Sequence, residues 1–183
     1  SVGFENSSGG QGSIALGTSN SGSSQGFISL GTGNTASGTH SVTSGFENTS
    51  KGESSVAMGN TSISNGNYSL AVGRGSQAAS EGEVALGFYN TIKSGVDPSN
   101  FVSNDTLFVI GNGQSTTQRS DAFIILKNAD AFVKGNLNIS KGLNVSSITN
   151  LSNMLSVGGN AILSQDLIVV GKTNINKSLD VYS

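Results

Sequence analysis

The 183-residue chain holds one histidine, His40, and no cysteine. No Ser-His-Asp relay can be assembled convincingly from that one histidine, and a thiolate metal site has no ligand. His40 stands alone and reads as a surface turn residue, not as a ligand. Carboxylate pairs are the chemistry that remains: Glu81 with Glu83, and Asp121 with Asp130. Two carboxyls flanking a glycosidic bond can cleave it, one as acid and the other as base or nucleophile. A polysaccharide-cleaving spike enzyme is thus one reading. Glu81 and Glu83 straddle Gly82, however, and solvated charges at a chain corner are the plainer account. Gly111-Asn112-Gly113 is no phosphate loop, because neither a helix nor a placed lysine follows. Glycosylation sequons begin at Asn6, Asn48, Asn60, Asn67, Asn104, Asn138, Asn144, Asn150 and Asn176. In a chain so rich in Asn and Ser they are compositional, and matter only if the host glycosylates. No catalytic residue, cofactor or metal ligand is expected, and the chain reads as non-enzymatic.

The elements that carry these residues are set by a period. Glycine recurs every 14 residues at Gly3, Gly17, Gly31, Gly45, Gly59, Gly73 and Gly87. Three places earlier stands an aliphatic residue: Ile14, Ile28, Val42, Val56, Leu70, Val84. Two places earlier stands a small one: Ala15, Ser29, Thr43, Ala57, Ala71, Ala85. The last position is apolar except at Ser44: Leu16, Leu30, Met58, Val72, Leu86. Alternation with period two puts the two aliphatic columns on one face of a strand and the small column on the other. The Gly, Ser, Thr and Asn in every unit argue against helix. Further glycines at Gly38, Gly52 and Gly66, or at Gly12, Gly26 and Gly82, mark a second corner. Each unit then reads as two short strands forming one coil of a parallel solenoid, with glycine supplying positive φ at tight corners. Six coils stacked at ~4.8 Å make a rod of roughly 29 Å. Asn20 and Asn34, three places after the register glycine, read as corner residues bonding locally to backbone.

A two-strand coil is thin. Its small Ala/Ser/Thr column is expected to let another chain approach closely, so the roll is expected to pack against copies of itself, most simply three around an axis. The units Ser13-Ile14-Ala15-Leu16-Gly17, Ser55-Val56-Ala57-Met58-Gly59 and Ser69-Leu70-Ala71-Val72-Gly73 resemble the head repeat of YadA-type trimeric adhesins. The resemblance covers residues 1 to about 90 and implies a left-handed parallel β-roll assembled as a trimer. Phe27 and Glu83 depart from it at the serine position, and Ser44 at the last apolar one.

Glycine is 26 of 183 residues, about twice the usual ~7%. Charged residues are 11% against a usual ~25%. With this period the composition is that of a fibrous β-protein. A net charge of −2 gives no electrostatic pull on nucleic acid. No run approaches the ~18 consecutive apolar residues of a membrane span. Both ends lie inside repeats, so the sequence reads as a fragment of a longer chain.

In order, residues 1–90 are the roll and 91–106 a connector that breaks the period and holds the single proline, Pro98. Residues 107–134 are a β-hairpin cap or adaptor. Thr106-Leu107-Phe108-Val109-Ile110 and Ala122-Phe123-Ile124-Ile125-Leu126 are its strands, and Ala131-Phe132-Val133 follows. The segment looks like those found between roll-like heads and later modules of phage and viral fibres, and its apolar density suits a plug over unpaired strand edges. Residues 135–183 carry a second period, of 12, starting at Gly135, Ser147, Gly159 and Gly171. Its aliphatic columns are Ile139, Leu151, Leu163 and Ile175; Leu143, Leu155, Leu167 and Leu179; and Val145, Val157, Val169 and Val181. Twelve residues are too few for an isolated filled coil, so an intertwined three-chain β-shaft is expected. Similar short units occur in fibre-like proteins of large DNA viruses.

The whole is therefore expected to be all-β: a trimeric left-handed parallel β-roll, a hairpin cap and an intertwined trimeric shaft. The expected function is attachment by an extracellular fibre, on a bacterial cell or a virion. Its partners would be itself as a homotrimer and a host receptor, glycan or matrix protein, with no nucleic acid and no membrane contact within the fragment. A purely structural stalk is the alternative. An ice-binding solenoid would need a more uniform Thr column than this one.

Overall fold

A computed structural model describes residues 1–152, 155–158, 161–163, 168, 170 and 171. It divides into two compact units, Ser1–Asn138 and Ile139–Ser183. The first is all-β. Its long strands are β1 (Val2–Phe4), β3 (Ile14–Thr18), β5 (Ile28–Thr32), β7 (Val42–Phe46), β9 (Val56–Asn60), β11 (Leu70–Arg74) and β13 (Val84–Phe88). Between them lie two-residue strands: β2 (Ser7–Ser8), β4 (Ser21–Gly22), β6 (Thr35–Ala36), β8 (Thr49–Ser50), β10 (Ile63–Ser64) and β12 (Gln77–Ala78). The long strands pair in parallel and in sequence order, with Gly17 beside Gly31 and Gly31 beside Gly45. The short strands make a second parallel sheet. This is a parallel β-solenoid with 14-residue coils.

The interior corrects one expectation. Ala15, Ser29, Thr43, Ala57, Ala71 and Ala85 do not face outward; all six are fully buried. Ala36, Ser50, Ser64 and Ala78 of the short strands are fully buried too. A coil of two short strands leaves only a narrow gap between its sheets, and interiors close-pack. The gap takes one small residue from each strand and excludes the larger aliphatics. Serine pairs bridge it, Ser50 to Ser55 at 2.8 Å and Ser64 to Ser69 at 2.6 Å between hydroxyls. In the second coil Phe27 replaces that serine and is fully buried. Gly22 stands across from it, where a Cβ would lie 2.7 Å from the ring. In the third coil Ala36 stands in place of the serine partner, and the buried Ser41 hydroxyl has no hydrogen-bond partner among the described residues.

Asn20, Asn34 and Asn48 are likewise fully buried, so their role is not merely a local turn. Asn34 Nδ2 donates to Leu30 O at 2.9 Å and to Gly45 O, in the next coil, at 2.7 Å. Its Oδ1 accepts from the backbone N–H of Asn48 at 2.9 Å and from Asn48 Nδ2 at 3.0 Å. The register glycine beside this ladder is doubly constrained. Gly45 has φ 119°, and a Cβ there would sit 2.1 Å from Gly59 O. Gly52, at the second corner, has no positive φ; a Cβ there would sit 2.0 Å from Gly66 O. Gly52 is thus required for close approach of coils, whereas Gly12, Gly26 and Gly82, two places further along the repeat, have φ of 68°, 66° and 63°.

β14 (Thr106–Asn112) pairs in parallel with β13, and β15 (Asp121–Leu126) and β16 (Ala131–Val133) extend the sheet antiparallel. The pairing places Ala85 beside Val109 and Gly87 beside Gly111. β14 is therefore both the first hairpin strand and the eighth rung of the roll, reached after an excursion through the connector. In the second unit no strand occurs among the described residues. Leu143 and Leu155 are each 69% exposed, and Leu151 and Leu163 are exposed as well. Gly159, Leu167, Val169, Ile175, Leu179 and Val181 lie outside the described residues.

The Phe27–Gly22 pair gives a packing test. Phe27→Ser should lower stability by about 3–5 kcal/mol, the cost of emptying a buried aromatic site. Adding Gly22→Ser should recover part of this by recreating the serine pair of later coils, since Ala36 O, 2.4 Å from a Cβ at Gly22, must also shift. Denaturant midpoints of the two variants check it; a double variant weaker than the single would contradict the pairing.

Candidate functional site

The aliphatic columns of the 14-residue repeat are gathered on one surface. Ile14, Ile28, Val42, Val56, Leu70 and Val84 form one in-register column along the long-strand sheet. Leu16, Leu30, Met58, Val72 and Leu86, with Ser44 among them, form the next. They stand on the outer face, partly exposed throughout and most at Ile14 (46%), Leu16 (40%) and Met58 (39%). In the single chain they do not line the interior, because the small column occupies it. Phe108 and Ile110 extend the two columns by a rung. The sequence does hold the signal: Phe108-Val109-Ile110-Gly111 repeats the apolar–x–apolar–Gly unit, but 24 residues after the last one instead of 14. Phe46 and Phe88 lie exposed at the strand ends.

The end of the roll is closed by side chains that stand in for a missing coil. In inner coils the short strand and its following turn donate to the next coil: Ile63 N to Ser76 O at 2.9 Å, Asn65 N to Ala78 O at 2.8 Å and Gly66 N to Ala78 O at 3.4 Å. One coil later Gln77 N donates instead to Asn90 Oδ1 at 2.8 Å. Ala79 N and Ser80 N donate to Glu83 Oε2 at 2.8 and 2.9 Å. The connector supplies further acceptors, with Asn67 N reaching Pro98 O and Glu81 N reaching Asp97 O. Asp97 itself accepts from the backbone of Ser99 and Asn100, which holds its carboxyl below the usual range. Arg119 ties the hairpin loop down: its Nη1 donates to Asn90 O at 2.9 Å and Gly75 O at 3.1 Å, and its guanidinium lies 5.8 Å from the Tyr89 ring.

The carboxylate pairs take other roles. Glu83 is not a solvated corner charge; it is 4% exposed and committed to the capping bonds. Asp121 opens the six-residue β15 and Asp130 lies in the turn beyond its Leu126 end; at ~3.4 Å per residue the strand separates them well beyond the ~5–10 Å that glycoside cleavage requires. Asp121 Oδ1 accepts from Thr91 N, and Asp130 Oδ2 from Asn128 Nδ2. His40 is exposed at a corner with φ 57°. Asn48, one of the sequon asparagines, is closed to modification by its burial in the ladder.

Against known families, residues 50–76 match the YadA head domain repeat, in two copies. Together with about six parallel 14-residue coils, that match supports a YadA-like head β-roll. The roll is a YadA-like head. The matched residues span β9 to β11, where the outer columns and the serine pairs are regular. No curated protein matches the sequence. The YadA head family is one of non-enzymatic, surface-exposed adhesins, which favours the same class here.

Burial raises the Glu83 carboxyl above its ordinary 4.5, outweighing the N–H donors that favour the charge. A carboxyl raised on folding contributes stability that is fully present below its unfolded pKa and is lost as pH rises through the folded one. Asp97, shifted down, acts only below about 3.8. Stability measured upward from pH 4.5 should therefore fall, and Glu83→Gln, which keeps an acceptor without the charge, should flatten the slope. Glu83→Ala should cost about 1–3 kcal/mol at every pH by stranding donors. An unchanged pH slope in Glu83→Gln would contradict the assignment.

Proposed function

We propose that the chain is part of a homotrimeric, non-enzymatic surface fibre that attaches its bacterial or virion carrier to a host cell, a matrix or another particle. The observation that carries this is the outer sheet face: eleven aliphatic side chains in two columns, part-exposed in the single chain. Large contiguous apolar surfaces of this kind mark interaction sites. A fully buried Val, Leu or Ile contributes about 1.5–3 kcal/mol, so covering such columns gives ample driving force for association. Every rung presents the same two columns at the same spacing, so a parallel copy in register matches at all rungs. Three copies around an axis turn each face to the centre. Kinship of the roll to YadA heads supports both the trimer and the surface location.

The 12-residue units fit the same reading as an intertwined shaft. Their described aliphatics lie in solvent when one chain is taken alone, and strands from neighbouring copies would give them partners. A trimer carries three copies of any weak receptor site, so affinity for a repetitive surface is multiplied by avidity.

Light scattering after size exclusion should return three chains per particle. The double variant Val56→Glu/Leu70→Glu places six carboxylates at the proposed axis and should give a monomer. A wild-type monomer with full β signal, or a trimer untouched by the double variant, contradicts the proposal. Saturable binding of the trimer to cells or matrix, absent for the monomer, separates attachment from a bare stalk.

A further inference from the structure

The two sheets of the roll end at different places. The short-strand sheet stops at β12, whereas the long-strand sheet continues through β14, β15 and β16. The inner face of that extension opens into a cleft of about 910 Å³. Its floor is Val109, Ala122, Ile124, Leu126 and Val133. Nine of the fifteen residues around it are polar and ring an apolar floor, a mix that suits a molecule with both hydroxyls and apolar ring faces.

Charge narrows the choice. Residues 1–138 contain six cationic side chains, and three of them, Lys93, Arg119 and Lys134, line this one cleft. The single lining carboxylate, Asp121, already accepts from Thr91 N. Lys93 sits 3.9 Å from Asp105, which offsets its charge. Arg119 is held in place through Nη1 by two backbone carbonyls. Lys134 is exposed, with Nζ 5.8 Å from the Phe132 ring centre and no ion pair among the described residues. A fixed guanidinium and an exposed ammonium thus border the same apolar floor, and a planar guanidinium suits carboxylate or sulfate geometry.

We propose that the cleft binds an acidic saccharide unit. Its carboxylate or sulfate would sit on Arg119 and Lys134, its hydroxyls on the Thr91, Asn112 and Ser120 side, and its apolar ring face on the β14–β16 floor. The proposal rests on the attachment reading and names the ligand class for it.

The test titrates the full chain, by calorimetry, with a sialylated trisaccharide, a hexuronate oligosaccharide and a sulfated hexosamine oligosaccharide. Each has its neutral counterpart alongside: desialylated, carboxyl-reduced or desulfated. One site per chain should saturate with at least one acidic probe and not with its neutral form. Lys134→Glu, at an exposed position that leaves the fold intact, and Ala122→Trp, which fills the floor, should each weaken binding about tenfold or more. Saturation by none of the acidic probes overturns the proposal. So does equal binding of a neutral form, or an isotherm unchanged in Lys134→Glu. Ala122→Cys shielded from a maleimide in the unliganded protein would show that a second copy fills the cleft, and overturns it as well. A failed titration with an intact trimer sinks the cleft alone. A monomeric chain that still binds the acidic probe sinks the fibre alone.

Discussion

Coil-on-coil hydrogen bonding at a fixed 14-residue offset is the constraint on which the structure depends. Each coil donates to and accepts from its neighbour along both strands, and the buried asparagine ladder repeats the bond with side chains. The Asn34 carboxamide reaches the coil on either side of its own, accepting from Asn48 in one and donating to Asn20 Oδ1 in the other. A one-residue slip would take the carboxamide out of this line and bring a side chain against the carbonyl that now faces Gly45. The insertion of the connector is tolerated only where the ladder has ended. Ser62 and Ser76 have already replaced asparagine, with a 3.0 Å contact between their hydroxyls.

That stacking settles where apolar surface goes. Coils of two short strands enclose room for alanine, serine and threonine and little else. Phe27 is admitted because Gly22 yields the space. The larger aliphatics are thus turned outward by geometry, and the hydrophobic effect that usually builds a core is left to act between molecules. The thinness of the coil and the drive to associate are one property seen from inside and outside.

A solenoid must also stop, because a bare end exposes donors and acceptors that would template further pairing. Here the stop is made with side chains. Glu83 takes the place of a carbonyl from a coil that never forms, and Asn90 does the same for Gln77. Arg119 then fastens the hairpin loop across Asn90 and Gly75. Two of the three departures from the repeat, Phe27 and Glu83, are positions where the chain solves a local packing or termination problem.

The sequence by itself determined the period, the two strands per coil, the corner glycines and the grouping of the aliphatic columns. All of these follow from local spacing, and spacing survives in one dimension. It also carried the hairpin strands, whose β-branched and aromatic runs announce themselves. Which face of the strand lies inside was decided only by the tertiary structure, because alternation separates two faces without ranking them and the distance between sheets makes the choice. The buried state of Glu83 and of the asparagines was decided there too. Whether a polar residue at a corner meets water or the next coil depends on what stacks above it. The eighth rung, Phe108-Val109-Ile110-Gly111, belongs to the same class: its pairing partner lies 24 residues away, and only the folded path of the connector brings the two strands together.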